Sequence, residues 1–324
     1  MSIFDKRVAF KPFEYPEVAE YKNAITHSYW LVSEWNFISD IHDFNVKLDS
    51  VERSALKNAM LAISQIEISV KKFWTRLGDR FPKAEFDQVG VTFGESEVRH
   101  SDAYSHLLEV LGMNKDFDQL MENPVIQGRV DYLTKYLKGA SDNSNENYTL
   151  ALTLFSIFIE NVSLFSQFVI IKSFNKYKNC LKDIDNVVQA TQKEEQIHAL
   201  LGVYLIKQIH KEFPGWFNEE FYEKLYRACK KAYEAEEKII DWIFEAGELS
   251  FMTKSVVKEY VKKRFNESLK MIGGKAVFDV DMSKVAELKW FEDEIHAEVN
   301  TDFFHKKPVT YSKFSKSCKA EDLF

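Results

Sequence analysis

Two stretches of this 324-residue chain, 17–77 and 140–201, contain neither glycine nor proline. These are the residues that disfavour a helix interior most, by about 1 and 3 kcal/mol relative to alanine. Uninterrupted runs of that length therefore point to long helices, and apolar periodicity predicts them over 18–35, from about 49 to 78, and over 148–177 and 184–213. Asp49 to Glu52 open the second of these. Further helices are expected over 86–111, ending at Gly112, over 114–137 with a break at Pro124, over 218–247 with Asn218 as N-cap, and over 250–272. SDNSNEN at 141–147 reads as a loop, and GGKAVFDV at 273–280 as a short strand or loop. The expected fold class is all-α. With 45% hydrophobic residues, a substantial core is available, expected as one helical domain over 1–300. From Thr301 the chain turns polar, basic and then acidic, which reads as a flexible tail over 301–324.

A formal net charge of −7 argues against a nucleic-acid partner, because phosphate binding needs a basic surface. Cys180, Cys229 and Cys318 are far apart with no C-x-x-C spacing, as expected of reduced thiols in a cytoplasmic protein. The first residues lack the continuous apolar run of a signal peptide. One segment, TLALTLFSIFIENVSLFSQFVII at 149–171, is long enough to cross a bilayer, but its single charge, Glu160, sits near the middle. A carboxylate there is costly in lipid, so a buried core helix is expected and no membrane contact.

The chemistry lies in a repeated pattern. GESEVRHSDAYSHLL at 94–108 places Glu97 and His100 three apart and Tyr104 four further on; on a helix all three share a face. KEEQIHALL at 193–201 repeats the Glu-x-x-His spacing with Glu195 and His198. Either match alone is weak, and Asp293/His296 and Asp302/His305 are read as accidental. The context comes from two lone glutamates in apolar surroundings, Glu67 in AISQIEISV and Glu160 in the apolar helix. The order Glu, Glu-x-x-His therefore occurs twice. That is the ligand set of a ferritin-like dinuclear carboxylate site, with one Glu from each of two helices and one Glu-x-x-His from each of two more. Four inward carboxylates repel one another, and two divalent cations neutralise them. Carboxylate oxygens with one imidazole per metal suit iron or manganese.

At these residues the chain resembles the small (beta, radical-generating) subunit of class I ribonucleotide reductase. ESEVRHSDAY is similar to that family's ligand helix, with Tyr104 where the family carries its radical tyrosine. EEQIH is similar to the later ligand pair, IFIEN to a single bridging glutamate at Glu160, and Glu67 falls at the first ligand. SYW at 28–30 resembles the segment whose tryptophan, here Trp30, couples the site to the surface. NTDFFHKKPVTYSK at 300–313 resembles the tail whose tyrosine, here Tyr311, relays the radical, and AEDLF the end that docks on the large (alpha) subunit. The resemblance implies a homodimer storing a one-electron oxidant. An electron is drawn through Tyr311, Trp30 and a ligand histidine, and the large subunit reduces ribonucleoside diphosphates to deoxyribonucleotides.

Two departures refine this. Glu67 stands where many members have Asp, and Glu194 where Asp is common before the last ligand pair. Lys71, one turn after Glu67, projects from the same helix face, where an ammonium would hydrogen-bond a ligand carboxylate or attract superoxide. The pattern resembles the dimanganese, superoxide-activated branch (class Id), so the expected cofactor is Mn2, with Fe2 plus a Tyr104 radical or mixed Mn/Fe as alternatives. A flavoprotein activase supplying superoxide is a further expected partner. The rival readings are a ligand-binding oxidase or monooxygenase on the same helical cage, and a metal-storage protein.

Overall fold

A computed structural model describes residues 2–139 and 144–295, excluding the side chains of 68–71 and 135–139. Tyr311 and the expected tail lie outside the described residues, as does the side chain of Lys71. The principal helices are α1 (Val18–His27), α2 (Ser50–Thr75), α3 (Ala84–Val110), α4 (Pro124–Gly139), α5 (Asn145–Lys178), α6 (Lys182–Glu212), α7 (Glu219–Ile243) and α8 (Lys254–Met271). No strand forms among the described residues, and one isolated antiparallel bridge joins Leu249 to Met252. The all-α expectation holds.

Local chemistry explains most boundaries. Asp49 and Glu52 form a reciprocal capping box at the start of α2: Glu52 N donates to Asp49 Oδ1 and Asp49 N to Glu52 Oε2, each at 2.9 Å. Asn218 Oδ1 accepts from Phe221 N at 3.0 Å to open α7. Gly112, at φ 73°, closes α3 in the left-handed conformation that glycine adopts without a Cβ penalty.

One expectation needs revision. The helix expected over 18–35 stops at His27, because the Ser28 hydroxyl donates to the carbonyls of Ala24 and Ile25 and so satisfies last-turn acceptors. Trp30 therefore stands on a linker rather than a helix. The stretch 273–280, expected as a short strand or loop, takes the loop form. Asn266 holds it, accepting from Val277 N and Phe278 N and donating to Phe278 O.

The apolar segment is a core helix: its most hydrophobic window is wholly buried inside the fold. Its middle, Phe155–Ser163, is π-helical, a wider winding often found at functional sites. This π segment packs against α6 and α8, and α2 packs along α3. The approach to α6 is close, since a Cβ placed on Gly202 would lie 2.1 Å from Ser156 Oγ. Glycine at 202 thus lets α6 reach the π segment one turn beyond His198.

Candidate metal centre

α2, α3, the π segment and α6 each turn charged groups into one interior. Glu67 comes from α2, Glu97 and His100 from α3, Glu160 from the π segment, and Glu195 and His198 from α6; all six are essentially inaccessible to solvent. The i, i+3 spacing does what helical geometry requires, putting each Glu-x-x-His pair on one inward face.

The six residues form two overlapping groups. Glu67, Glu97, His100 and Glu195 each offer a ligand atom within 4.8 Å of the others, and so do Glu97, Glu160, Glu195 and His198. Glu97 and Glu195 belong to both. Glu160, which the resemblance reads as a single bridging glutamate, falls in one of the two groups.

Both imidazoles are oriented from behind. His100 Nε2 lies 2.8 Å from Glu194 Oε2, and Nδ1 faces Glu195 Oε1 at 2.9 Å, Glu97 Oε2 at 3.6 Å and Glu67 Oε2 at 3.7 Å. His198 Nε2 lies 3.0 Å from Ser96 Oγ, whose own proton goes to Phe93 O. Ser96 therefore accepts from Nε2–H, and Nδ1 faces Glu97, Glu195 and Glu160 at 3.1–3.6 Å. A donor–acceptor pair behind each ring selects the tautomer with its Nδ1 lone pair inward. Trp74 Nε1 donates to Glu160 Oε1 at 2.9 Å and leaves Oε2 for the centre.

The inward atoms have no protein donors to satisfy them. Both oxygens of Glu67, Glu97 and Glu195, Oε2 of Glu160 and Nδ1 of both histidines are buried without a hydrogen-bond partner. Orphaned acceptors of this kind, converging from four helices, fit a pair of cations and would be costly without them. The ionisation pattern agrees. Burial drives Glu67 up to about 8, and burial with the charge of Glu195 drives Glu160 well above the usual carboxylate range. For His100 burial opposes protonation, yet the surrounding carboxylates, Glu194 foremost, raise its affinity for a proton. In the absence of cations, protons take part of their place.

Trp30, 5% exposed, lies nearly parallel to His100, with 6.0 Å between ring centroids and an interplanar angle of 15°. Its Nε1 has no acceptor. Tyr104 is buried one turn beyond His100 with its hydroxyl unpartnered, and burial followed by the charge of Glu67 keeps that phenol protonated. Glu194 is the buried carboxylate behind His100, also gripped by Arg99. Sequence reasoning missed Trp74, Ser96 and Arg99. Trp74 had a signal, since it stands seven residues after Glu67 on one face of α2. The other two stand beside ligands without any pattern of their own.

Comparison with known proteins agrees with this geometry. The chain is 26% identical to a probable ribonucleoside-diphosphate reductase small subunit, 048L, of Invertebrate iridescent virus 3, covering 95% of this chain and 85% of that one. Among solved structures it is similar to the ribonucleotide reductase R2 subunit from Clostridium botulinum (TM-score 0.78, 17% identity, 87% and 89% covered). It is also similar to an R2-like ligand-binding oxidase with a Mn/Fe cofactor (TM-score 0.69, 21% identity, 80% and 94% covered). The fold is thus the ferritin-like helical bundle shared by both. Residues 7–286 match the model of the family "Ribonucleotide reductase, small chain", and the chain belongs to that family.

Proposed function

We propose that this subunit initiates ribonucleotide reduction from a dimanganese centre held by Glu67, Glu97, His100, Glu160, Glu195 and His198. The observation that carries the reading is the pair of overlapping ligand groups sharing Glu97 and Glu195, with both Nδ1 atoms inward. In this family the small subunit forms a homodimer and pairs with a large subunit, where the ribonucleoside diphosphate is reduced. The bound metals supply the one-electron oxidant that begins this chemistry. Around them the chain's own groups do the rest. Trp74 fixes one oxygen of Glu160, Ser96 and Glu194 fix the imidazoles, and the buried shell excludes water that would quench an oxidant.

The oxidising equivalent moves outward, as an electron moves inward, through Trp30, in ring contact with His100, and Tyr311 on the tail that docks the large subunit. Lys71, one turn beyond Glu67 on α2, attracts superoxide delivered by a flavoprotein activase. Glu67, Glu194 and Lys71 together support the superoxide-activated dimanganese branch over Fe2 with a Tyr104 radical, and over mixed Mn/Fe. A cytoplasmic setting suits the reduced thiols. The test is Tyr104→Phe in protein loaded in its native host. The oxidant's EPR signal and nucleotide reduction should both survive, and their joint loss would return the oxidant to Tyr104. Removing 311–324 should abolish turnover with the large subunit and leave metal content unchanged; retained turnover would argue against the tail relay.

A further inference from the structure

Arg99, the residue before ligand His100, lies beside the ring that the proposed electron route uses. Its Nε donates to both oxygens of Glu95 at 3.1 and 3.0 Å, and its two terminal nitrogens grip Glu194 at 3.1 and 3.0 Å. The guanidinium carbon stands 4.6 Å from the centroid of the Tyr29 ring and 5.5 Å from that of Trp30. The group is nearly buried, with a side-chain exposure of 5%. It is thus a fixed charge, held in a bidentate grip against the face of an aromatic relay.

The consequence follows from electrostatics. A cation over an indole stabilises the neutral, electron-rich ring. When that ring gives up one electron it becomes a cation, and the same guanidinium then repels it. An oxidised indole usually relieves its charge by shedding the Nε1 proton, but Trp30 Nε1 has no acceptor in its buried setting. The positive charge would stay on the ring, facing Arg99. Glu194 and Glu95, both paired with Arg99, offset part of this field, and Trp35, 5.6 Å from Trp30 by ring centroid, contributes no charge.

We propose that Arg99 acts through Trp30 as a positioning charge that keeps the indole reduced in the resting subunit, so that the stored oxidant is not consumed before the large subunit docks. The step it restrains is a one-electron transfer: Trp30 loses an electron, the oxidised metal centre gains it, and the Nε1 proton stays on the ring. This rests on the reading that Trp30 is on the electron route.

The experiment is the lifetime of the oxidised centre in the full homodimeric subunit without large subunit, followed by EPR, with metal content measured alongside. Arg99→Gln should shorten the lifetime about tenfold, the order expected when a nearby unit charge is removed at an intermediate dielectric. Arg99→Lys keeps the charge but gives up the bidentate fork, so its lifetime should fall between those of the parent and Arg99→Gln. Trp30→Phe added to Arg99→Gln should restore the parental lifetime, a coupling that merely structural damage would not produce. An unchanged lifetime in Arg99→Gln overturns the proposal. So does an equally short lifetime in Arg99→Lys, which would assign Arg99 to holding Glu194 in place. Should the Gln variant fail to load metal, Arg99→Met, which keeps the stem and removes the charge, takes its place under the same criteria. Turnover with the large subunit separates the two readings. Normal turnover by Trp30→Phe would remove Trp30 from the route, and the proposal with it; lost turnover with unchanged Arg99→Gln lifetime would remove the proposal alone.

Discussion

Two buried clusters of charge that meet the π segment of α5 differ in how their charge is balanced. In one, Arg129 of α4 meets Glu236 of α7 at 3.2 Å, and its remaining bonds go to the carbonyls of Ala62 and Ser163 and to Gln167. Both side chains are fully buried. In the other, three residues earlier on the π segment, Glu160 joins three more carboxylates and two imidazoles whose inward atoms have no protein partner. The first cluster contains its own counter-charge, although Arg129 Nε and Glu236 Oε1 are left without a hydrogen-bond partner. The second has an excess of negative charge and is complete only with cations. Burial alone thus does not mark a functional site. What marks it is charge that the protein leaves uncompensated.

The largest test of this contrast is the shared pair of ligands. Glu97→Ala or Glu195→Ala removes a group common to both metal positions, so bound metal should fall from about two per chain to well below one. Glu67→Ala or Glu160→Ala touches one position and should leave roughly one metal. Elemental analysis with titration calorimetry measures this. Equal losses from all four variants would mean that Glu97 and Glu195 are not shared.

For the self-neutral cluster the prediction concerns stability. Arg129→Met strands a buried carboxylate and should cost about 3–5 kcal/mol in urea unfolding. Adding Glu236→Leu should recover much of that loss, because replacing both members of a buried pair by apolar groups is often neutral or better. Metal content should not change. A double variant as unstable as the single one would show that the polar bonds to Ala62, Ser163 and Gln167, not charge pairing, dominate.

A smaller effect is expected behind the ligands. Trp74→Phe keeps an aromatic ring among Phe73, Phe93 and Phe155 but frees Glu160 Oε1. Loss of such an orienting bond typically weakens metal binding by about 10–100-fold. Unaltered affinity in a competition assay would reduce Trp74 to packing.

How much of this was legible in the sequence follows from the range of each interaction. Glu97 with His100, and Glu195 with His198, are neighbours on a helix face at fixed spacing, so local periodicity displays them. The capping box at Asp49 and Glu52 and the Asn218 cap are local in the same way. Lone glutamates in apolar stretches betrayed Glu67 and Glu160, because an unpaired charge there needs a reason. Sharing of Glu97 and Glu195 is different, since it depends on which helices face each other across the cavity. Arg129 finds Glu236 across 107 residues, and Trp74 finds Glu160 across 86; no local pattern carries such pairs. Winding also escaped notice, as nothing in FSIFIENVS departs from an apolar α-helix until its neighbours pack. The end of α1 at His27 turned on one serine hydroxyl.

The remaining prediction sets protons against metals in the uncompensated cluster. Glu67 has its proton affinity raised by burial to about 8, so the folded, metal-free protein retains a proton that the unfolded chain sheds near pH 4.5. His100 and His198 are likewise shifted upward, despite burial, by the carboxylates around them. Groups with raised folded values stabilise the fold at low pH and lose that contribution as pH rises through them, at about 1.4 kcal/mol per pH unit for each proton retained. Glu195 works in the opposite sense, since interactions with Glu160 and His198 outweigh its burial and hold it well below the usual range; its share is lost on the acid side. The chelated protein should therefore melt at progressively lower temperature from pH 5 to pH 8. With manganese bound the trend should reverse over the same window, because cations displace those protons and bind more tightly as pH rises. Thermal melts of chelated and loaded protein across this range decide it. A chelated protein that gains stability towards pH 8 would mean that the cage neutralises its own charge, as Arg129 and Glu236 do, and the contrast between the two clusters would fail.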